Sequence, residues 1–224
     1  MPRNTLTAEQ IVRAAIGLLD DEGLDGLNMR ALGERLGSAA TAIYWHVKTK
    51  DELVRLAADA AWSEIPLPRL DAADWRTSAT AMATGLHDML TRHLWIGQAF
   101  GSYLLFGHGN ARYDDHSLAL WESAGFSPDE ADQAAATVLL FVLGSALSPG
   151  AMVSLTRRLA RAGKDAGKTI EDAMTEAGTI AESYPRLRER LTTTAGSDYA
   201  AAPDSTFTFG LRAILDGFQV RLGR

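Results

Sequence analysis

Apolar residues recur along this chain at spacings of three and four, and strict alternation of apolar and polar residues is not found. The first spacing lays apolar side chains along one face of an α-helix, whereas alternation would lay them along one face of a strand. The pattern predicts an all-α protein. A first helix is expected from Thr7 to Glu22: Thr7 and Gln10 form a T-x-x-Q capping box, and Ile11, Ala14, Ala15, Leu18 and Leu19 form its stripe. Gly23 is expected to supply a left-handed stop. Asn28 is a good N-cap for a second helix, Met29 to Leu36, which Gly37 ends. A third helix is predicted from Ala39 to Val47 with Ala39, Ile43 and Val47 inward, and a fourth from Lys50 to Glu64. Ile65-Pro66-Leu67-Pro68 is the clearest boundary, because neither proline continues a helix. Beyond it, helices are expected near 72–92, 95–106, 112–124, 128–147, 151–162, 168–192 and 205–222. Breaks at Gly107-His108-Gly109, Gly125 to Pro128, Pro149-Gly150 and Ala162 to Gly167 separate them. The stretch Thr192 to Asp204 is small and polar and reads as a mobile connection. These breaks divide the chain into a head, 1–48, and a body, 49–224, with the helix at 49–64 connecting the two.

Composition narrows the picture. A length of 224 residues suits a small head on a larger helical body, and an apolar fraction of 46% suffices for a real core. No run is read as long enough to span a bilayer, and MPRNTLTAEQ lacks the apolar core of a signal peptide, so a cytoplasmic protein without membrane contact is expected. Cysteine is absent, which removes disulfides, thiol nucleophiles and thiolate metal sites. The net charge of -6 argues against a generally basic nucleic-acid coat. Residues 1–50 are neutral on balance, and four of their acids cluster at Asp20, Asp21, Glu22 and Asp25. A phosphate-binding face there requires local sorting of charge.

Candidate chemistry concentrates in Gly26 to Lys50, GLNMRALGERLGSAATAIYWHVKTK. Two short helices flank the glycine turn Leu36-Gly37-Ser38, as a helix-turn-helix requires if its second helix is to project into a major groove. Consecutive helical residues lie about 100° apart, so Tyr44, Trp45 and His46 cannot all be buried. At least one large aromatic is exposed beside lysines. Rings touch thymine methyls and sugars in a groove while ammonium groups meet phosphates. The alternative reading of Tyr44-Trp45-His46 is a core cluster, and of Arg30 a solvated surface arginine. For Lys50, a DNA contact and a simple helix-start charge stand level.

The run LGSAATAIYWHVKTKDELV resembles the recognition helix and following helix of the TetR family, the tetracycline-repressor type. Upstream, Ala14-Ala15, Leu18-Leu19, Gly23, Gly26-Leu27, Arg30, Leu32 and Leu36-Gly37 fit the same pattern. Trp75-Arg76, Phe207 to Leu211 and Leu215-Asp216-Gly217 resemble the body of tetracycline-repressor-like members. The resemblance implies a helical body that holds a small-molecule effector and pairs as a homodimer through a four-helix bundle from the eighth and last helices. It implies a repressor that binds double-stranded DNA at a palindromic operator and lets go when the effector binds. It places Arg30 at a base edge, Thr41, Tyr44, Trp45 and His46 on the groove and phosphates, and Lys48 on a phosphate. Ala39, Ala40 and Ala42 stand where other members place polar base readers, so direct readout is expected to be sparse and DNA shape to matter.

The body is less explicit. Met82, Leu86, Met89, Trp95, Tyr103, Phe106, Trp121 and Phe141 are candidates to line an apolar effector pocket, with ordinary core as the alternative for each. His87, His93, His108 and His116 show no metal-ligand spacing, so neither metal nor cofactor is expected. No G-x-S-x-G elbow or P-loop occurs, which disfavours an enzyme. Two other functions remain open on the sequence: a small-molecule-binding protein with weak or no operator reading, and a transcriptional activator.

Overall fold

The computed structural model of the chain describes residues 6–191 and 206–223. Among these residues it is all-helical: α1 (Ala8–Gly26), α2 (Met29–Leu36), α3 (Ala40–Tyr44), α4 (Lys50–Ser63), α5 (Trp75–Arg92), α6 (Trp95–Ala99), α7 (His108–Ala124), α8 (Pro128–Arg161), α9 (Ala166–Glu182), α10 (Pro185–Leu191) and α11 (Thr206–Arg221). A 3-10 turn at Ala72–Asp74 leads into α5. The polar stretch Thr192 to Asp204 lies outside the described residues.

Capping explains most helix starts. Thr7 and Gln10 close the expected box on α1, and Asn28, Thr49 and Asp74 accept backbone N–H groups at the starts of α2, α4 and α5. Gly23 has a positive φ as expected, but its ψ of -176° makes a kink rather than a left-handed cap, and a further turn runs on to Gly26.

Several boundaries differ from the sequence reading, each for a local reason. The helix expected at 95–106 ends at Ala99, where Gly101 and Ser102 turn back onto Gln98 and Ala99. The helix expected from 112 begins at His108, because Asp59 of α4 accepts the N–H groups of His108, Gly109 and Asn110. The helix expected at 168–192 is two, since Pro185 opens α10 as a first-turn residue. The largest difference is α8, one helix of 34 residues running through Pro149, where two helices were expected. An interior proline costs about 3 kcal/mol. Burial of Ala131, Ala134, Val138, Val142, Ala146 and Leu159 along α8 offsets it. Read without that break, α8 contains a stretch long and apolar enough by length and composition to cross a membrane, which the sequence reading had not found. Here it is a body helix packed on α5, α6, α7 and α11.

One apolar core runs from Ile11 and Leu19 in α1 through Trp62 in α4 and Trp95 in α6 to Leu211 and Leu215 in α11. Trp62, Trp95 and Trp121 are its largest fully buried side chains. Each removes roughly 200 Å² from water, on the order of 5 kcal/mol gross. The Ile65–Pro68 boundary is stitched to α7: Arg112 donates to the Ile65 carbonyl at 2.7 Å, and His116 Nε2 donates to the Pro68 carbonyl at 2.8 Å.

Polar contacts join α1 to the body. Asp20 Oδ1 accepts from Trp95 Nε1 and from His93 Nδ1, both at 2.8 Å. His93 is buried, and its Nε2 lies 3.4 Å from Glu64 Oε2. Burial opposes a charge on its ring. Hydrogen bonds and attraction from Asp20 and Glu64 outweigh that and hold its pKa above the ordinary histidine value.

Candidate nucleic-acid interface

The turn between α2 and α3 is built by two glycines with different duties. Gly37 adopts φ 60° and ψ 32°, the left-handed conformation that ends α2. Gly33 lies in α2 where a Cβ would meet the Ser38 carbonyl oxygen at 2.7 Å, so α3 can cross close to α2. Ser38 N donates to the Gly33 carbonyl at 2.9 Å and locks that approach. Ile43 and Val47 are fully buried and fix which side of α3 faces outward.

The outward side carries the residues expected on it. Thr41, Tyr44, Trp45, His46 and Lys48 are all exposed, with Tyr44 at 46% and Trp45 at 81%. The sequence required at least one exposed aromatic. The structure exposes both, because α3 ends at Tyr44 and the chain turns through Trp45 and His46 before Val47 re-enters the core. Ala39 is a correction: it was expected inward, but it is the exposed N-cap of α3.

Lys48 Nζ donates to the Tyr44 carbonyl at 2.8 Å and lies 5.8 Å from the Trp45 ring centroid. Its charge sits at the carboxyl end of α3, where a cation is favoured, and holds the aromatic pair in place. Arg30 projects from α2, its side chain 89% exposed, with Nε 3.0 Å from Glu34 Oε1. Such a surface pair is worth about 0–1 kcal/mol, so Arg30 is readily released to another anion. Lys50 Nζ donates to the Leu24 carbonyl at 2.6 Å and ties α4 to the kinked end of α1.

The four clustered acids of the head are engaged away from this surface, while Glu34 stays on it beside Arg30. Asp20 faces His93 and Trp95, Asp21 pairs with Arg35 at 2.6 Å, and Glu22 and Asp25 pair with Arg161 of α8. Local sorting of charge supplies what bulk charge does not.

In the body, an apolar cleft of about 270 Å³ opens between α5–α6 (Leu90, Leu94, Gly97) and α8 (Leu143, Ala146, Leu147). Gln98 also lines it and donates to Ser154 Oγ. None of the eight residues named from sequence lines this cleft. Met82, Leu86, Met89, Trp95 and Trp121 are buried in the packed core. Tyr103 is half-buried, Phe141 is half-buried and stacks on Phe207, and Phe106 is 60% exposed beneath the Arg55 guanidinium. Large side chains pack the core, and the cleft forms where smaller ones leave space, a signal that a list of aromatics and methionines does not contain. Sequence reasoning also missed Arg157 and Arg161. Their spacing of four, which puts two long cations on one side of a helix, was the available signal.

Comparison with known proteins agrees with this geometry. Residues 11–57 match the family described as bacterial regulatory proteins, tetR family, and residues 67–222 match the tetracyclin repressor-like C-terminal domain. An HTH-type transcriptional regulator of Saccharopolyspora erythraea is 36% identical over 140 residues, 62% of this chain and 59% of that protein. The HTH-type transcriptional repressor DrrR1 of Streptomyces coeruleorubidus is 30% identical over 98% of this chain and 79% of its own length. Among solved structures, the Streptomyces coelicolor TetR family protein ActR in complex with actinorhodin superposes with a TM-score of 0.70 at 25% identity, covering 96% of each chain.

Proposed function

The chain belongs to the TetR family of bacterial regulatory proteins, and from that premise we propose that it is a ligand-responsive, sequence-specific DNA-binding transcriptional repressor rather than an enzyme. The observation that carries the reading is the outward side of α3, where Thr41, Tyr44, Trp45, His46 and Lys48 stand exposed beside Arg30 on a turn fixed by Gly33 and Gly37. Tyr44 and Trp45 expose two large rings next to each other on this surface, and an apolar patch rimmed by polar groups marks an interaction site such as a groove.

The head comprises 1–48, α4 connects it, and the body occupies the remainder. Two copies pair through α8 and α11, whose Leu140, Phe209 and Val220 are exposed in the single chain. The pair presents two α3 segments to successive major grooves of a palindromic operator, about 34–36 Å apart. The effector is a small, largely apolar molecule with a hydrogen-bonding group for Gln98, taken into the cleft between α5–α6 and α8. ActR, of similar fold, holds actinorhodin. Binding there favours a state with the heads wrongly spaced, and the operator is released.

Selection of bound sequences from random duplexes tests the reading. A recovered palindrome, bound more weakly by both Tyr44→Ala and Lys48→Ala, is the expected outcome. Unchanged binding in both variants overturns the assigned surface. Ala39, Ala40 and Ala42 favour a second reading, a small-molecule-binding protein that no longer reads DNA, and recovery of no palindrome selects it. A reporter with and without the gene separates repression from activation.

A further inference from the structure

The two arginines at the end of α8 reach the head. Arg157 Nη2 donates to the Asp20 carbonyl at 2.7 Å, and Arg161 Nη2 donates to the Glu22 carbonyl at 2.6 Å. Both carbonyls belong to the last turn of α1 before the Gly23 kink, where a helix leaves its carbonyls without intrahelical donors. A guanidinium there satisfies the carbonyl and meets the negative end of the helix dipole. Arg161 also lies within 3.4 Å of Glu22 Oε2 and 3.6 Å of Asp25 Oδ2. These contacts join residues 137 and 139 positions apart in the chain.

The same helix forms one wall of the body cleft. Ala146 and Leu147 line it, and Arg157 lies ten residues further along, about 15 Å at 1.5 Å per residue. Between them stands Pro149, which has no N–H to donate to the Ser145 carbonyl, so α8 has a weakened point beside the cleft. The cleft touches α8 on both sides of that point, at Leu147 and Gly150, and the segment beyond it ends on α1.

We propose that Arg157 and Arg161 are positioning residues that transmit the state of the cleft to the DNA-reading head, with the carboxyl-terminal half of α8 acting as a rod onto the end of α1. The route starts from α8, whereas the α6 contact runs from Trp95 to the Asp20 carboxylate; Arg157 bonds the carbonyl of that same residue, so the two meet at the end of α1. The inference rests on the reading of the chain as a ligand-responsive repressor. It adds a path by which that response travels.

The test uses the full chain, a duplex recovered by selection, and a side chain in place of the effector. Ala146→Phe fills the cleft from within, because Ala146 lines it and is buried. Leu147→Trp, from the half-exposed mouth, replaces it if Ala146→Phe fails to fold. Each is measured alone and combined with Arg157→Gln/Arg161→Gln, with helical content and thermal midpoint recorded for every variant. The expected result is that cleft filling weakens duplex binding about tenfold in the otherwise native chain. In the arginine variant it changes binding by no more than about twofold. A purely structural role for the arginines moves the midpoint but leaves the two effects additive. Equal weakening with and without the arginines overturns the proposal, as does a filled cleft that leaves binding untouched. Failure of the native chain to select any duplex refutes the repressor reading itself, and the transmission path falls with it.

Discussion

Asp59, midway along α4, accepts the backbone N–H of Gly109 at 2.7 Å and so caps a helix other than its own. The same carboxylate accepts the N–H groups of His108 and Asn110, each at 3.2 Å. The amino-terminal residue of α7 has no side-chain cap of its own, because position 107 is glycine. Asp59→Ala is expected to leave these donors unsatisfied and to cost about 1–2 kcal/mol in urea unfolding. Asp59→Asn keeps an acceptor oxygen and is expected to lose less. Equal stability of Asp59→Ala and the native chain would show that water replaces the cap in full.

Arg30 and Glu34 give a second prediction, on the interface itself. Their ion pair is exposed on both sides, so breaking it changes stability by about 0–1 kcal/mol. Against DNA the two act oppositely. Arg30→Ala removes the residue best suited to grip a guanine and is expected to weaken operator binding by about 1–3 kcal/mol. Glu34→Gln frees the guanidinium and removes a negative charge near the phosphates, and is expected to strengthen binding. Titration of labelled duplex at one stated salt concentration checks both. Arg30→Ala binding as tightly as the native chain would return Arg30 to the role of a solvated surface residue.

How much was legible in the sequence depended on how local the cause was. The capping box at Thr7, the N-cap at Asn28 and the turn at Gly37 are set by neighbours three or four residues apart, and they stand where the sequence put them. Outward placement of Tyr44, Trp45 and Lys48 followed from the spacing of Ile43 and Val47. The start of α7 did not follow, because its cap comes from Asp59, fifty residues away in the chain. Continuity of α8 through Pro149 was hidden for the same reason: tertiary burial outweighs a local breaker. The cleft was unreadable because it is space left by Gly97 and Ala146 among larger neighbours.

The buried His93 yields a pH dependence. Its ring faces Asp20 and Glu64, and Glu64 is also bonded by Arg92 at 2.8 Å. Its pKa in the folded chain lies above the ordinary value of 6.5. A histidine shifted that way contributes stability that is fully present below its unfolded pKa and is lost as pH rises through the folded one. His93→Gln keeps a donor but no charge. The native chain is therefore expected to exceed His93→Gln in thermal midpoint most below about pH 6.5, with the gap closing as pH rises above it. A gap that widens toward alkaline pH would mean that the ring is held neutral.

Gly33 within α2 and Gly37 after it both shape the turn, yet substitution at each is expected to fail differently. At Gly37, φ is 60° and nothing lies within 4 Å of an added Cβ, so Gly37→Ala pays only for the left-handed backbone, about 1–2 kcal/mol. The turn keeps its shape, and operator binding by the folded fraction should persist. At Gly33 the added Cβ meets Ser38 O at 2.7 Å and Ala40 N at 3.4 Å. Both obstacles are backbone, and neither can rotate aside. Relief requires α3 to move away from α2, carrying Thr41, Tyr44 and Lys48 with it. Gly33→Ala is therefore expected to lose operator binding out of proportion to its loss of stability. Circular dichroism of the thermal midpoint, set beside duplex titration well below that midpoint, separates the two cases. A Gly33→Ala protein that binds like the native chain would show that the α2–α3 approach does not set the reading geometry.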